Sequence, residues 1–258
     1  ESLLAGGIRK DSVVYKLFLK VSQNIYRRAD DLLVSSRSFV NYFRQVLKLE
    51  NKRIRYLPQY AEDMFDELPE PGGKKDTVDF MFAGNVGALQ SVETIVEAAR
   101  LVQKQKNIHI HIVGGGIALE NCKKLAEGLE NITFHGRHDI TEMPAFYAMA
   151  DAMLITMKDD PVLSATLPGK VQTYMAAGKP VVGAIGGETA KIVNEDAVCG
   201  MCCQPEDSAA LAKILQQIAD DSEMRTRFSE NARRYYRQYF RKERFFAVLE
   251  ETLQENCV

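Results

Sequence analysis

From Thr77 onward the chain alternates short apolar runs with longer amphipathic ones. TVDFMFAG, NIHIHIVGGG, NITFHG, DAMLITM, KPVVGAI and CGMCCQP are rich in Val, Ile, Phe and Met. Near-continuous apolar runs of this kind suit strands buried on both faces. Between them SVETIVEAARLV, LENCKKLAEGL, TEMPAFYAMA, the stretch after Lys170 and the one around Ala190 place apolar residues at helical spacing. DSAALAKILQQIAD, SEMRTRFSENARRYY and ERFFAVLEETL then close the chain as helices. Strict alternation of strand and helix predicts an α/β fold, a doubly wound parallel sheet covered on both faces by right-handed crossovers.

The first residues follow a different pattern. Over 12–29, SVVYKLFLKVSQNIYRRA, the apolar positions Val14, Leu17, Phe18, Val21 and Ile25 recur at helical spacing beside Lys16, Lys20, Arg27 and Arg28. A basic amphipathic helix can lie on a membrane surface. A core-packed helix with a solvated basic face is the commoner arrangement and the one expected here. DDLLVSS predicts a short strand and SFVNYFRQVL a second amphipathic helix, with Ser36 or Ser38 placed to cap it. AEDMFDELPEPGGKKD, rich in Pro, Gly and charge, has the composition of a linker. The chain therefore divides into an amino-terminal part (1–57), a linker (58–76) and an α/β domain with carboxyl-terminal helices (77–258).

Composition narrows the function classes. With 33 basic and 35 acidic side chains, the 258-residue chain has a formal net charge of −2, which argues against nucleic acid as a partner. No apolar run approaches the ~20 residues that span a bilayer, and no signal-peptide core is visible. Five cysteines, an odd number without disulfide-like spacing, suit a reducing cytoplasm. The chain opens ESLLAGG, with no initiator Met, and so reads as a fragment or processed product whose activity draws on residues outside it.

In a doubly wound sheet, ligands sit beyond the carboxyl ends of the strands. Those ends carry Gly84-Asn85-Val86-Gly87, Gly114-Gly115-Gly116, Gly136-Arg137-His138 and a long segment from Lys158 to Lys170. Gly84 to Gly87 would let the backbone approach a pyrophosphate, or would simply make a tight strand-to-helix turn. The run from Gly114 fails the dinucleotide fingerprint, because Leu119 stands where its last glycine belongs. A nicotinamide enzyme is therefore not expected. His109 and His111 share one face of a strand, and Cys199-x-x-Cys202 with Cys203 has no second pair at zinc spacing, so no metal is expected. Pro168-Gly169-Lys170 is the sharpest signal. Proline is pre-organised for a helix start, and glycine permits close backbone approach. A lysine in the first turn opposes the helix dipole unless an anion such as a diphosphate sits there. A lysine turned out to solvent would cost only roughly 0.3–1 kcal/mol.

Taken together, FMFAGNVGALQSVETIVEAARL, IHIVGGG, ITFHGR, MPAFYAMADAMLITMK, LPGKVQTYMAAGKPVVGA and CGMCCQPEDSAALAKIL resemble the carboxyl-terminal part of a group 1 glycosyltransferase, family 4, with the GT-B fold. ESLLAGG and IYRRADDLLVSSRSF are similar to the end of that family's amino-terminal, acceptor-binding domain. The resemblance implies a Rossmann-like nucleotide-sugar-binding domain preceded by a remnant of the acceptor domain, with no metal or other cofactor. It also implies a retaining transfer of sugar, N-acetylated amino sugars included, from a UDP-linked donor to a glycan or lipid-linked acceptor. The setting would be cytoplasmic synthesis of capsule, O-antigen or exopolysaccharide, with any peripheral membrane contact made through the missing domain.

Carried onto this sequence, Gly84, Asn85 and Gly87 would line the diphosphate and sugar, and Lys170 would neutralise phosphate oxygens. Arg137 and His138 would lie near the nucleobase, and Gly114, Pro168, Gly169 and Thr173 complete the expected donor site. The segment 158–167, KDDPVLSATL, would be a mobile lid presenting Asp159, Asp160, Ser164 and Thr166 to sugar hydroxyls. Two features depart from the family. Its paired glutamates fall on Ala165 and Thr173, and its basic residue early in the first crossover falls near Gln90. The L-P-G-K-x-Q-x-Y variant resembles a subgroup of surface-polysaccharide and amino-sugar enzymes. No residue is assignable as a general base. The rival readings are a non-catalytic glycosyltransferase-like subunit and a nucleotide-sugar epimerase of the same fold.

Overall fold

A computed structural model describes residues 9, 11–70 and 76–256; the opening ESLLAGG and linker residues 71–75 lie outside them. Six parallel strands form the main sheet: β3 (Val78–Ala83), β4 (Ile108–Val113), β5 (Ile132–Gly136), β6 (Ala152–Thr156), β7 (Val181–Ala184) and β8 (Gly200–Cys203). Their order is β5–β4–β3–β6–β7–β8, so the chain winds outward from β3, then crosses to β6 and winds the other way. The reversal puts the topological switch point between β3 and β6, where this class of sheet opens a crevice at its carboxyl edge.

Alternation along each strand sorts the core into two layers. Phe80, Phe82, Ile110, Ile112 and Leu154 pack with helices α3 (Val92–Val102), α4 (Leu119–Leu125) and α9 (Ser208–Asp220). Met81, Ala83, Met153 and Ile155 pack on the other face with α5 (Met143–Met149), α7 (Gly169–Ala176) and α10 (Ser222–Tyr239). Covered twice, the central strands β3, β6 and β7 are buried almost throughout and read as unbroken apolar runs.

The amino-terminal part contains α1 (Val13–Arg28), β1 (Asp31–Val34), α2 (Arg37–Gln45) and β2 (Arg53–Tyr56), with β1 and β2 paired in parallel. The structure corrects the reading of α1. Its expected core stripe is exposed (Leu17 60%, Phe18 52%, Ile25 60%). The helix instead packs through Leu19 and Tyr26 onto Leu32, Leu47 and Leu49, one turn-spaced stripe round the cylinder from the predicted one. β2 was not predicted, because Arg53 and Arg55 look like surface charge. They pair with Asp31, Glu251 and Glu255, the last two on α11 (Lys242–Asn256).

Two further segments are more ordered than their composition suggests. In the linker, Ala61 and Phe65 are buried, and Tyr60 stacks edge-on against Phe245. The expected lid contains a short helix, α6 (Pro161–Ser164), whose first N–H groups, Val162 and Leu163, donate to Asp160 Oδ1 at 2.8 and 3.1 Å. Among the described residues no helix is long and apolar enough to cross a membrane.

Candidate functional site

At the switch point lies a cleft of about 840 Å³. Gly84 and Asn85 enter it from the end of β3, Gly114 from β4, Arg137 and His138 from β5, and Gly169, Lys170 and Thr173 from α7. Eight of the ten residues named from the sequence thus meet on one surface; Gly87 and Pro168 do not line it. The sequence did not signal the wall opposite, made by Gln59, Tyr60, Glu62 and Phe65 of the linker and by Tyr147 of α5.

The floor is built by backbone contact. Gly84 N–H donates to Val113 O at 2.9 Å, Gly114 N–H to Gly136 O at 2.7 Å, and Val86 N–H to Gly115 O at 2.9 Å. These bonds carry the strand ladder past the ends of β3, β4 and β5. Gly114 sits at φ +141°, and a β-carbon there would stand 1.8 Å from Gly84 O. Its glycine is therefore a packing requirement. Gly169 is the opposite case. A β-carbon there would meet nothing within 4 Å, so the fold leaves this position open to the cleft.

Helix α7 is held rigidly beneath the site. Tyr174, fully buried, lies with its hydroxyl 3.2 Å from Ala83 O and 3.3 Å from Leu154 O, tying the helix to the end of β3 and the middle of β6. At its start Pro168 supplies no side-chain cap; Val171 N–H donates to Pro168 O at 3.0 Å, which leaves the N–H groups of Gly169 and Lys170 without the side-chain acceptor that Ser, Thr or Asp would give. Lys170 extends from that turn over Phe82, its Nζ 4.0 Å from the ring centre. A β-carbon on Gly84 would lie 2.9 Å from Nζ. No carboxylate among the described residues pairs with it. Burial depresses its pKa from 10.5 to about 8, because an unpaired ammonium is poorly solvated there. The site combines a destabilised cation, the uncapped N–H groups of Gly169 and Lys170 and open glycine backbone, which together suit an anion.

Around this centre the other candidates have mixed roles. Thr173 Oγ1 donates back to Gly169 O at 3.3 Å, so its hydroxyl is already engaged. Asn85 Nδ2 donates to Gln90 Oε1 at 3.3 Å, joining two positions of the first crossover. His138 lies against Phe146, the rings inclined at 58°, and places Nδ1 3.3 Å from Glu142 Oε2. Below the site, His111 Nδ1 lies 3.0 Å from His135 Nε2, and burial lowers the basicity of His109 and His135. Among the described residues, no group of three His, Cys, Asp or Glu side chains could hold a metal ion.

A depressed lysine makes anion binding depend on pH in a definite direction. A bound diphosphate favours the charged form and raises the Lys170 pKa, so binding takes up a proton wherever the free lysine is neutral. Affinity for a diphosphate probe such as uridine diphosphate (UDP) is expected to fall as pH rises through about 8. Calorimetry at pH 9 in buffers of different ionisation enthalpy reads this uptake directly. A buffer-independent heat would refute it.

Residues 64–235 match the family described as glycosyl transferases group 1. The chain belongs to that family. It is 30% identical to the probable glycosyltransferase WbjE of Pseudomonas aeruginosa, over 98% of this chain and 66% of that protein. It is 21% identical to the O-antigen chain mannosyltransferase C of Escherichia coli, over 90% of this chain and 62% of that one. The chain therefore spans about two thirds of the length of these relatives. Among solved structures, Anabaena HepE in complex with UDP-glucose superposes with a TM-score of 0.75 at 19% identity, over 92% of this chain and 67% of that one. The fold is that of the GT-B glycosyltransferases.

Proposed function

We propose that this chain forms the donor-binding part of a retaining glycosyltransferase acting in bacterial surface-polysaccharide synthesis. The donor would be a UDP-linked sugar, N-acetylated amino sugars included, and the acceptor a growing glycan or a lipid-linked one. The observation that carries the reading is Lys170: a desolvated ammonium with no anionic partner among the described residues, aimed at the Gly84 backbone where the cleft opens. A relative named as an O-antigen chain mannosyltransferase and a neighbour holding UDP-glucose support it.

In this reading the chemistry is leaving-group stabilisation. Negative charge grows on the diphosphate as the glycosidic bond loosens. Lys170 and the first-turn N–H groups of α7 meet that charge without reorganising, so they favour the transition state over the ground state. The chain supplies the countercharge from its own side chain, and the reading assigns it no resident cofactor. Arg137 and His138 flank the end of the cleft assigned to the base. The remaining wall and the acceptor contacts belong to the rest of the cleft.

The test is titration of the chain with UDP, uridine monophosphate (UMP) and uridine, followed by a donor screen. UDP is expected to bind tightest, because Lys170 and α7 address the second phosphate. Equal affinity for UDP and uridine would overturn the reading. Gly169→Ala adds a finer arm. Its β-carbon meets no protein atom within 4 Å, so thermal stability should hold while UDP affinity falls by about tenfold, the value of one hydrogen bond to a charged group. Unchanged affinity would remove Gly169 from the ligand surface.

A further inference from the structure

Glu188 lies in the first turn of α8 (Gly187–Lys191) and is 6% exposed, and its carboxylate reaches away from its own helix. Its Oε1 accepts from Arg37 N–H at 2.7 Å, and its Oε2 from Ser38 N–H at 2.7 Å and from Ser36 Oγ at 2.5 Å. Those donors are the amino-terminal turn of α2, for which Ser36 is the N-cap residue but provides no side-chain cap. A carboxylate from about 150 residues away thus caps α2 and also favours its dipole. Ser36, freed from capping, turns its hydroxyl toward the Ala165 carbonyl as well. One hydroxyl proton cannot serve both acceptors at once, so Ser36 bridges the two segments.

The segment it grips leads directly into the candidate site. Ala165 lies between α6 and the Pro168-Gly169-Lys170 start of α7. From the other side Thr189 Oγ1 donates to Thr166 O at 3.3 Å. Gly187, at φ +64°, crosses Ser164 so closely that a β-carbon would stand 1.8 Å from Ser164 O. Residues 164–166 are therefore clasped between the α2 turn and α8, a few residues upstream of Lys170.

We propose that Glu188 is a positioning residue for the nucleotide site. By holding the 36–38 turn against the Ala165 carbonyl, it sets the path of residues 164–168 and hence the aim of the first turn of α7 into the cleft. The proposal rests on the donor-binding reading above. It adds that the amino-terminal part and the diphosphate end of the site are coupled through this carboxylate. Coupling of this kind is reciprocal: whatever the latch gives to UDP binding, UDP must return as protection of the latch.

Glu188→Gln keeps the shape of the side chain but turns an N–H₂ group toward a backbone N–H that needs an acceptor. The experiment compares the 258-residue chain with this variant by UDP and UMP titration and by amide hydrogen exchange, with and without UDP. The expected result is a UDP affinity about five- to tenfold weaker with UMP little changed, within the usual range of coupling. Exchange over 36–45 and 163–170 should rise, and the protection that UDP gives to 36–45 in the unaltered chain should disappear. A folded variant with an unchanged UDP-to-UMP ratio and intact UDP-dependent protection would overturn the proposal, leaving Glu188 a structural cap. If the variant does not fold, Ser36→Ala, which removes only the bridging hydroxyl, is read by the same ratio and the same exchange. An unaltered chain without preference for UDP would sink the donor-binding reading instead. Ligand-free exchange over 163–170 would then decide the latch, which fails if Glu188→Gln leaves it unchanged.

Discussion

Lys170→Ala is expected to weaken UDP binding by about 1.5–3 kcal/mol, the value of a hydrogen bond to a charged group, or roughly ten- to a hundredfold. UMP should lose much less, because in the proposed donor site its phosphate would lie farther from the helix start. The companion effect runs the other way. The unpaired ammonium is a cost to the ligand-free fold, since burial holds its pKa near 8 rather than 10.5. The penalty is full below about pH 8, where the folded lysine must be charged. It fades as pH rises toward 10.5, where the unfolded chain also loses its proton. Lys170→Met, which keeps the stem packed on Phe82, should therefore raise the thermal midpoint of the free chain at pH 7 while abolishing its preference for UDP over UMP. Gain of stability with loss of binding is the mark of a site group kept for function. Calorimetry and thermal melts check both halves. A lower midpoint, or equal losses for UDP and UMP, would show that Lys170 is held for packing alone.

How much of this was readable depended on whether a residue's role is local. The strands were legible because Phe80, Met81 and Phe82 are all fully buried, one face after the other, so composition alone marks them. The glycine loops and Lys170 were legible because a doubly wound sheet always turns its strand ends to the same edge. β2 was not. Its Arg53 and Arg55 pair with β1, and their charge is met by Glu255 of α11, which returns some 200 residues later. The cleft wall at Gln59 to Phe65 was hidden for the same reason, since Tyr60 is fixed by Phe245 and Phe246 near the chain's end. α6 was a missed local signal, because Asp160-Pro161 is an N-cap followed by proline at the first helical position. Glu188 could not have been found. Nothing in Gly-Gly-Glu-Thr points to a turn at Ser36.

Gly114→Ala is expected to do the most damage of any single methyl added to the cleft. The residue sits at φ +141°, a region that side-chain-bearing residues rarely adopt, and its new β-carbon would stand 1.8 Å from Gly84 O and 2.8 Å from Gly84 C. Neither neighbour is the end of a flexible side chain, so the clash cannot be relieved by a rotamer change. If the Gly84 loop moves away, it loses the bond from its own N–H to Val113 O and carries its backbone off Lys170. If Gly114 rotates to negative φ instead, its N–H leaves Gly136 O and the third strand end detaches. Overpacking and backbone strain of this kind each cost about 1–3 kcal/mol. Their sum corresponds to a midpoint lower by roughly 4–24 °C in a domain of this size. Either relaxation also displaces the floor of the proposed diphosphate site, so UDP binding should be lost even at temperatures where the variant is fully folded. Gly169→Ala, with open space around it, is the paired control: binding falls there without the change in midpoint. Were Gly114→Ala to melt with the unaltered chain and still bind UDP, the close crossing of the two glycine loops would not be what shapes the site.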